Sequence, residues 1–99
     1  MILISMIQNP PESAKEMVRR SMQLPRFPEF IKTKTPYIKS VVGEGIKTLT
    51  IYEFEDSKFG EASKHINKSL GAFQGVPGFT RSIELWGRAK DVFEATGTI

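Results

Sequence analysis

The stretch Gly45-Ile46-Lys47-Thr48-Leu49-Thr50-Ile51-Tyr52-Glu53-Phe54-Glu55-Asp56 decides the fold. It is the longest run of strand-forming residues in the chain, and it ends on an acidic helix-start signal. Side chains alternate across a strand, so Thr48, Thr50, Tyr52 and Phe54 share one face, and Lys47, Leu49, Ile51, Glu53 and Glu55 share the other. Both faces are apolar over the middle, which predicts a central strand buried on both sides. Helices of the same chain can cover one face. The second face needs another cover, and a chain of 99 residues has little left to supply it.

Immediately upstream, Tyr37-Ile38-Lys39-Ser40-Val41-Val42 reads as a strand, joined to the central one by Gly43-Glu44-Gly45, a connection typical of antiparallel neighbours. Further back, Ile2-Leu3-Ile4-Ser5-Met6-Ile7 is nearly continuous in apolar residues and is also expected to be central. Asn9-Pro10-Pro11-Glu12 has the pattern of a capped helix start, with Asn9 as cap and Glu12 three residues on. The helix that follows shows Ala14, Met17, Val18, Ser21 and Met22 on one face, with Lys15, Glu16, Arg19 and Arg20 on the other, and Pro25 ends it. From Leu24 to Pro36 three prolines argue against long regular structure, while Phe27, Phe30 and Ile31 argue for a loop pinned to the core, with room for one helical turn at Pro28–Lys32.

Downstream, Asp56 or Ser57 caps a second helix whose apolar face is Phe59, Ala62, Ile66, Leu70 and Phe73. Pro77-Gly78 makes a turn into Phe79-Thr80-Arg81-Ser82-Ile83-Glu84-Leu85-Trp86, the fourth strand. Ala89, Val92 and Phe93 have the spacing of a short C-terminal helix, with Gly97 placed to end it. The order is β-α-β-β-α-β. With right-handed crossovers it gives an α+β ferredoxin-like fold, a four-stranded antiparallel sheet carrying two helices on one face. Residues 1–99 form a single domain.

Composition sets further bounds. A hydrophobic content of 39% and a charged content of 25% are those of an ordinary globular chain able to bury one modest core. Without cysteine there is no disulfide and no thiolate metal site. The apolar run Met1–Ile7 is too short to span a bilayer and lacks a basic flank, so no membrane partner is expected and the expected compartment is cytoplasmic. The net charge of +3 is spread among acidic residues, which argues against nucleic acid. So does the central strand. Aligned with the RNA-recognition signature of this fold, it has Leu49 and Ile51 where stacking aromatics belong and Thr48 where a glycine belongs, and Leu3 holds the aromatic position of the first strand.

A second copy of the sheet is the better cover for the open face, since a large apolar surface on a small protomer marks association and most oligomers are two-fold. Two such sheets face to face make a dimeric α+β barrel. In element order, length, the Tyr37–Val42 strand, the Gly-Glu-Gly turn and the Leu49–Phe54 strand with its acidic end, the chain resembles the dimeric α+β barrel superfamily, and among its members the small GYD-type and stress-responsive proteins. The resemblance implies a homodimer. It leaves activity open, because the superfamily spans cofactor-independent monooxygenases, haem-degrading enzymes, isomerases, dehydratases and members without known activity.

The residues with chemical potential are few. Glu53 shares a face with Leu49 and Ile51; a carboxyl buried there without a partner would have a raised pKa and could move protons, whereas Arg81 or Lys39 could neutralise it. His65 is the only histidine, about 100° round the second helix from the centre of its apolar face. In the haem-degrading branch a histidine on this helix ligates iron beside an asparagine and a tryptophan. Here Asn9 reads as a helix cap and Trp86 follows His65 in the chain, so no haem is implied. Tyr37, Arg81 and Trp86 are candidates for lining a small-ligand pocket. No phosphate loop, paired metal ligands or nucleophile elbow is present, so no cofactor or metal is expected. The favoured reading is a non-catalytic barrel or one that binds a small apolar ligand. The alternative is a cofactor-independent enzyme using Glu53 or His65 on a small aromatic or apolar substrate.

Overall fold

A computed structural model describes residues 1–34 and 36–90, together with 93 and 97. The chain runs β1 (Ile2–Asn9), a 3-10 turn (Pro11–Ser13), α1 (Ala14–Ser21), β2 (Lys32–Thr33), β3 (Tyr37–Val41), β4 (Gly45–Glu53), a second 3-10 turn (Asp56–Lys58), α2 (Phe59–Gly71) and β5 (Thr80–Trp86). β1 and β4 are central, as their apolar sequences predict. They pair antiparallel over eight positions, from Ile2 opposite Glu53 to Asn9 opposite Ile46. β5 pairs antiparallel with the other edge of β1, from Ile2 opposite Trp86 to Gln8 opposite Thr80. β3 pairs antiparallel with β4, Tyr37 opposite Leu49 and Val41 opposite Gly45. This is the expected ferredoxin-like α+β architecture.

Among the described residues the sheet has five strands, one more than expected. Lys32 and Thr33 pair with Glu53 and Tyr52 on the same edge of β4 that β3 occupies further along. Lys34 N–H donates to Ile51 O at 3.2 Å and carries this pairing one residue towards β3. The segment from Leu24 is therefore more than a pinned loop. Ile31 is 5% exposed in the main core, and Phe27 meets Tyr52 edge to face at 5.4 Å between centroids.

One core lies between the sheet and the helices: Leu3, Ile31, Tyr52, Phe54, Ala62, Ile66 and Leu70. A smaller cluster, Met17, Phe73 and Val76, continues it under α1 with Ile7, Leu24 and Phe79 at its margin. The expected α2 face is correct apart from Phe59, which is exposed; the α1 face is narrower than its periodicity suggested, because Val18 and Met22 point to solvent and Met17 carries the contact. Neither helix is capped as expected. Both begin through a 3-10 turn whose entry residues, Pro10 and Glu55, make no side-chain cap bond. Asn9 closes β1 instead and donates from Nδ2 to Pro10 O at 3.0 Å. Asp56 takes the N-terminal ammonium at 2.9 Å. The C-terminal helix expected around Ala89, Val92 and Phe93 falls largely outside the described residues.

The exit of β1 is tightly packed against two turns. Pro10 passes between two glycines with positive φ, Gly45 at 107° and Gly78 at 75°. A methyl on Gly45 would overlap the Asn9 carbonyl oxygen and lie 3.0 Å from Pro10 Cα; one on Gly78 would meet the Pro10 ring at 2.7 Å. Ser13 Oγ then donates to Pro77 O at 2.6 Å and holds the start of α1 against the same turn. Gly43, in the β3–β4 hairpin, also has positive φ but faces open space. Gly43→Ala should cost about 1–2 kcal/mol through backbone strain alone. Gly45→Ala should cost clearly more, since backbone atoms must also move. Urea unfolding of both variants measures the difference, and equal losses would contradict the close approach.

Candidate functional site

The register sorts the side chains into two layers. On the helix side lie Leu3, Ser5, Ile7 and Asn9 of β1 with Tyr52, Thr50, Thr48 and Ile46 of β4. On the other side lie Ile2, Ile4, Met6 and Gln8 with Glu53, Ile51, Leu49 and Lys47. Trp86 and Glu84 of β5, opposite Ile2 and Ile4, extend that second side, as does Tyr37 of β3, opposite Leu49. No described element covers it. Apolar residues run across four strands there, with Met6 38%, Trp86 52% and Tyr37 59% exposed.

The sequence-derived candidates divide between the two sides. Glu53 and Trp86 flank Ile2 on neighbouring strands, about 10 Å apart by strand spacing, and both lie on the open face. Tyr37 lies on the same face near the other end of β4. Arg81 is opposite Ile7, on the helix side of β5. His65 is on α2, exposed, with its ring edge-to-face with Phe30 at 6.2 Å. The structure thus brings Glu53 and Trp86 together and leaves His65 and Arg81 in the other layer.

Glu53 is paired, by Arg88 and not by Arg81 or Lys39. The Arg88 guanidinium, hydrogen-bonded to the carboxylate, pushes the Glu53 pKa below its ordinary value, and Lys32 and Lys34 add to the effect. The condition for a raised pKa, a buried and unpartnered carboxyl, is not met. Glu53 borders an open recess of about 560 Å3 at the end of β4, together with Lys32, Asp56 and Lys58, where charges of both signs meet. The Trp86 indole N–H donates to Glu84 Oε2 at 3.0 Å.

A larger concavity, about 710 Å3, lies on the helix layer. Arg19, Arg20 and Gln23 of the α1 end, Leu24–Pro28 of the following loop, and His65, Lys68, Ser69 and Ala72 of the α2 end line it. Arg20 builds one end of this groove. Its Nη1 donates to Ala72 O at 3.1 Å and Gln74 O at 2.7 Å, tying α1 to the end of α2, while its Nε donates to Glu16 at 2.8 Å. Arg19 donates to the same carboxylate. These two hydrogen-bonded guanidiniums lower the Glu16 pKa from 4.5 to about 2, Arg19 contributing most. The Glu16, Arg19, Arg20 spacing was visible in the sequence as i, i+3 and i, i+4 pairs. That Arg26 would arrive at the same groove from the loop was not, and neither was the Arg88 pairing.

Among the described residues no group of His, Asp and Glu side chains is placed to hold a metal ion, and no helix is long and apolar enough to cross a membrane. No protein-family model matches the chain, and no curated protein matches its sequence. Solved structures do match in shape. A crystal structure from Deinococcus radiodurans named "putative antibiotic biosynthesis monooxygenase" superposes with a TM-score of 0.51 at 11% identity, over 89% of this chain and 93% of that one. A de novo designed protein, Foldit4, superposes with a TM-score of 0.50 at 9% identity, over 87% and 96%. Such likenesses establish the ferredoxin-like α+β fold and nothing about chemistry.

Because the folded-state pKa of Glu16 lies below its ordinary value, the carboxylate stabilises the fold above about pH 4.5, and this stabilisation is lost as the pH falls toward 2. Glu16→Gln should therefore lower the melting temperature at neutral pH, and the gap from the unmodified protein should close near pH 2. A gap that persists at low pH would mean that the pairing with Arg19 and Arg20 is not what the substitution removes.

Proposed function

We propose that the chain acts as a cytoplasmic homodimer in which two open sheet faces pack together as an α+β barrel, and that it binds a small apolar ligand without catalysing a reaction. The observation that carries this is the half-buried apolar face of Ile2, Ile4, Met6, Leu49 and Ile51, which no described element covers and which Tyr37 and Trp86 border. Apolar rows on the middle strands of a sheet favour burial, and the sequence alone makes β4 apolar on both faces. A second copy offers a surface of the same shape and chemistry, and isologous pairing closes on itself. In this reading the chain stands with the small GYD-type and stress-responsive members of the dimeric α+β barrel superfamily. A ligand in the interior would meet Tyr37 and Trp86, aromatic walls suited to an apolar body.

The name of the Deinococcus radiodurans neighbour keeps a second reading in view, that of a cofactor-independent enzyme of monooxygenase or isomerase type acting in the same interior. Glu53 would be its proton-handling group. The Arg88 pairing argues for a role in which that carboxylate stays ionised, as a weak base or an electrostatic anchor, and not as an acid. His65 and Arg81, on the helix side, would not reach an interior substrate together with Glu53.

Light scattering on a sizing column should give a mass near twice 11.2 kDa that persists on dilution. Ile51→Asp places a charge in the middle of the proposed interface and should give monomers or aggregates. A monomeric parent protein, or a variant whose dimer is unchanged, would overturn the barrel.

A further inference from the structure

The groove on the helix layer, remote from the open sheet face, has the makings of a binding site of its own. Its wall of Leu24, Pro25, Phe27, Pro28 and Ala72 is apolar, and its polar side chains are dominated by cations. Among the described residues neither Asp nor Glu lines it. Glu16, the nearby carboxylate on α1, is turned to Arg19 and Arg20 and already hydrogen-bonded to both. Arg26 and Lys68 make no ion pair or hydrogen bond among the described residues, so their charges are available to a ligand. Arg20, locked by two backbone carbonyls and Glu16, gives the groove a fixed end, while Phe27 is anchored against Tyr52 of the core. A volume of about 710 Å3 lies within the range of small-ligand sites.

We propose that this groove binds a small amphipathic anion, a phosphate or carboxylate head carried on an apolar body. The head lies between Arg26 and Lys68, where charge-assisted hydrogen bonds are available, and the body rests on Leu24, Phe27 and Pro28. Neither part alone fills the site: inorganic phosphate leaves the apolar wall wet, and a neutral ring leaves both cations unpaired. The proposal does not depend on the dimer, because none of these residues lies on the open sheet face.

The sequence supplies two natural reporters. His65, the only histidine, lines the groove, and Trp86, the only tryptophan, lies on the open face. Titration with phenyl phosphate, followed by proton NMR at constant pH, should move the His65 ring signals saturably and leave the Trp86 indole N–H signal in place. Inorganic phosphate and benzyl alcohol should each bind at least about tenfold more weakly, and Arg26→Ser with Lys68→Ser should weaken phenyl phosphate by about tenfold or more. Both substituted side chains are exposed, and an unchanged amide spectrum verifies that the variant is folded. Movement of the Trp86 signal in place of His65 would put the ligand in the sheet-face site and overturn the proposal. So would equal binding of inorganic phosphate, which would reduce the groove to diffuse surface charge, or undiminished binding by the double variant.

Discussion

The structure depends on the antiparallel ladder between β1 and β4. Its register, Ile2 opposite Glu53 through Asn9 opposite Ile46, decides which side chains share a face. Side chains alternate with a period of two, so a slip of β1 by one residue would carry Leu3 out of the core and Ile4 into it. Because both alternatives are apolar, hydrophobicity alone does not choose between them. The choice is made at the ends of the ladder: Gly45 and Gly78 admit Pro10 where no side chain could, and the Met1 ammonium bonds both Phe54 O and the Asp56 carboxylate. These contacts anchor β1 at its two ends.

With the register set, the two helices cover one side, and no described element covers the other. That asymmetry separates the molecule into two chemically distinct regions. The sheet face is largely apolar and aromatic, and its carboxylates are paired, Glu53 by Arg88 and Glu84 by the Trp86 indole N–H. The helix layer is cationic, and its groove exists because Arg20 holds α1 against the end of α2 and because the Leu24–Pro28 loop closes the third side. A ligand for the first region would be apolar; one for the second would be anionic. The two could be occupied independently, since the sheet lies between them.

The fold's likeness to a designed protein and to a protein named as a monooxygenase, both near 10% identity, illustrates why architecture carries no chemistry here. The ferredoxin-like arrangement is a favourable way to bury two amphipathic helices on an antiparallel sheet. Many unrelated sequences can reach it. What differs between them is which side chains the open face and the helix layer present, and those are properties of individual positions.

The sequence by itself determined the order of the four main strands and two helices, the central places of β1 and β4 and the two faces of β4, because each follows from local periodicity. Thr48, Thr50 and Tyr52 do lie on one side, and Leu49, Ile51 and Glu53 on the other. It also showed the core face of α2 through Ala62, Ile66 and Leu70. Periodicity could not show that Val18 and Met22 would be left in solvent, because that depends on how far α1 tilts from the sheet. Local patterns also misled at Asn9 and Asp56, which look like helix caps but find partners in Pro10 and the N-terminus. Only the tertiary structure decided the rest. Lys32 and Thr33 become a strand because β4 leaves that length of edge unpaired. Glu53 is paired because the chain beyond Trp86 turns Arg88 back towards it, and the cationic groove forms because residues more than forty positions apart meet at the ends of two helices. Spacing along the chain records none of these, since each is set by where separate elements come to rest against one another.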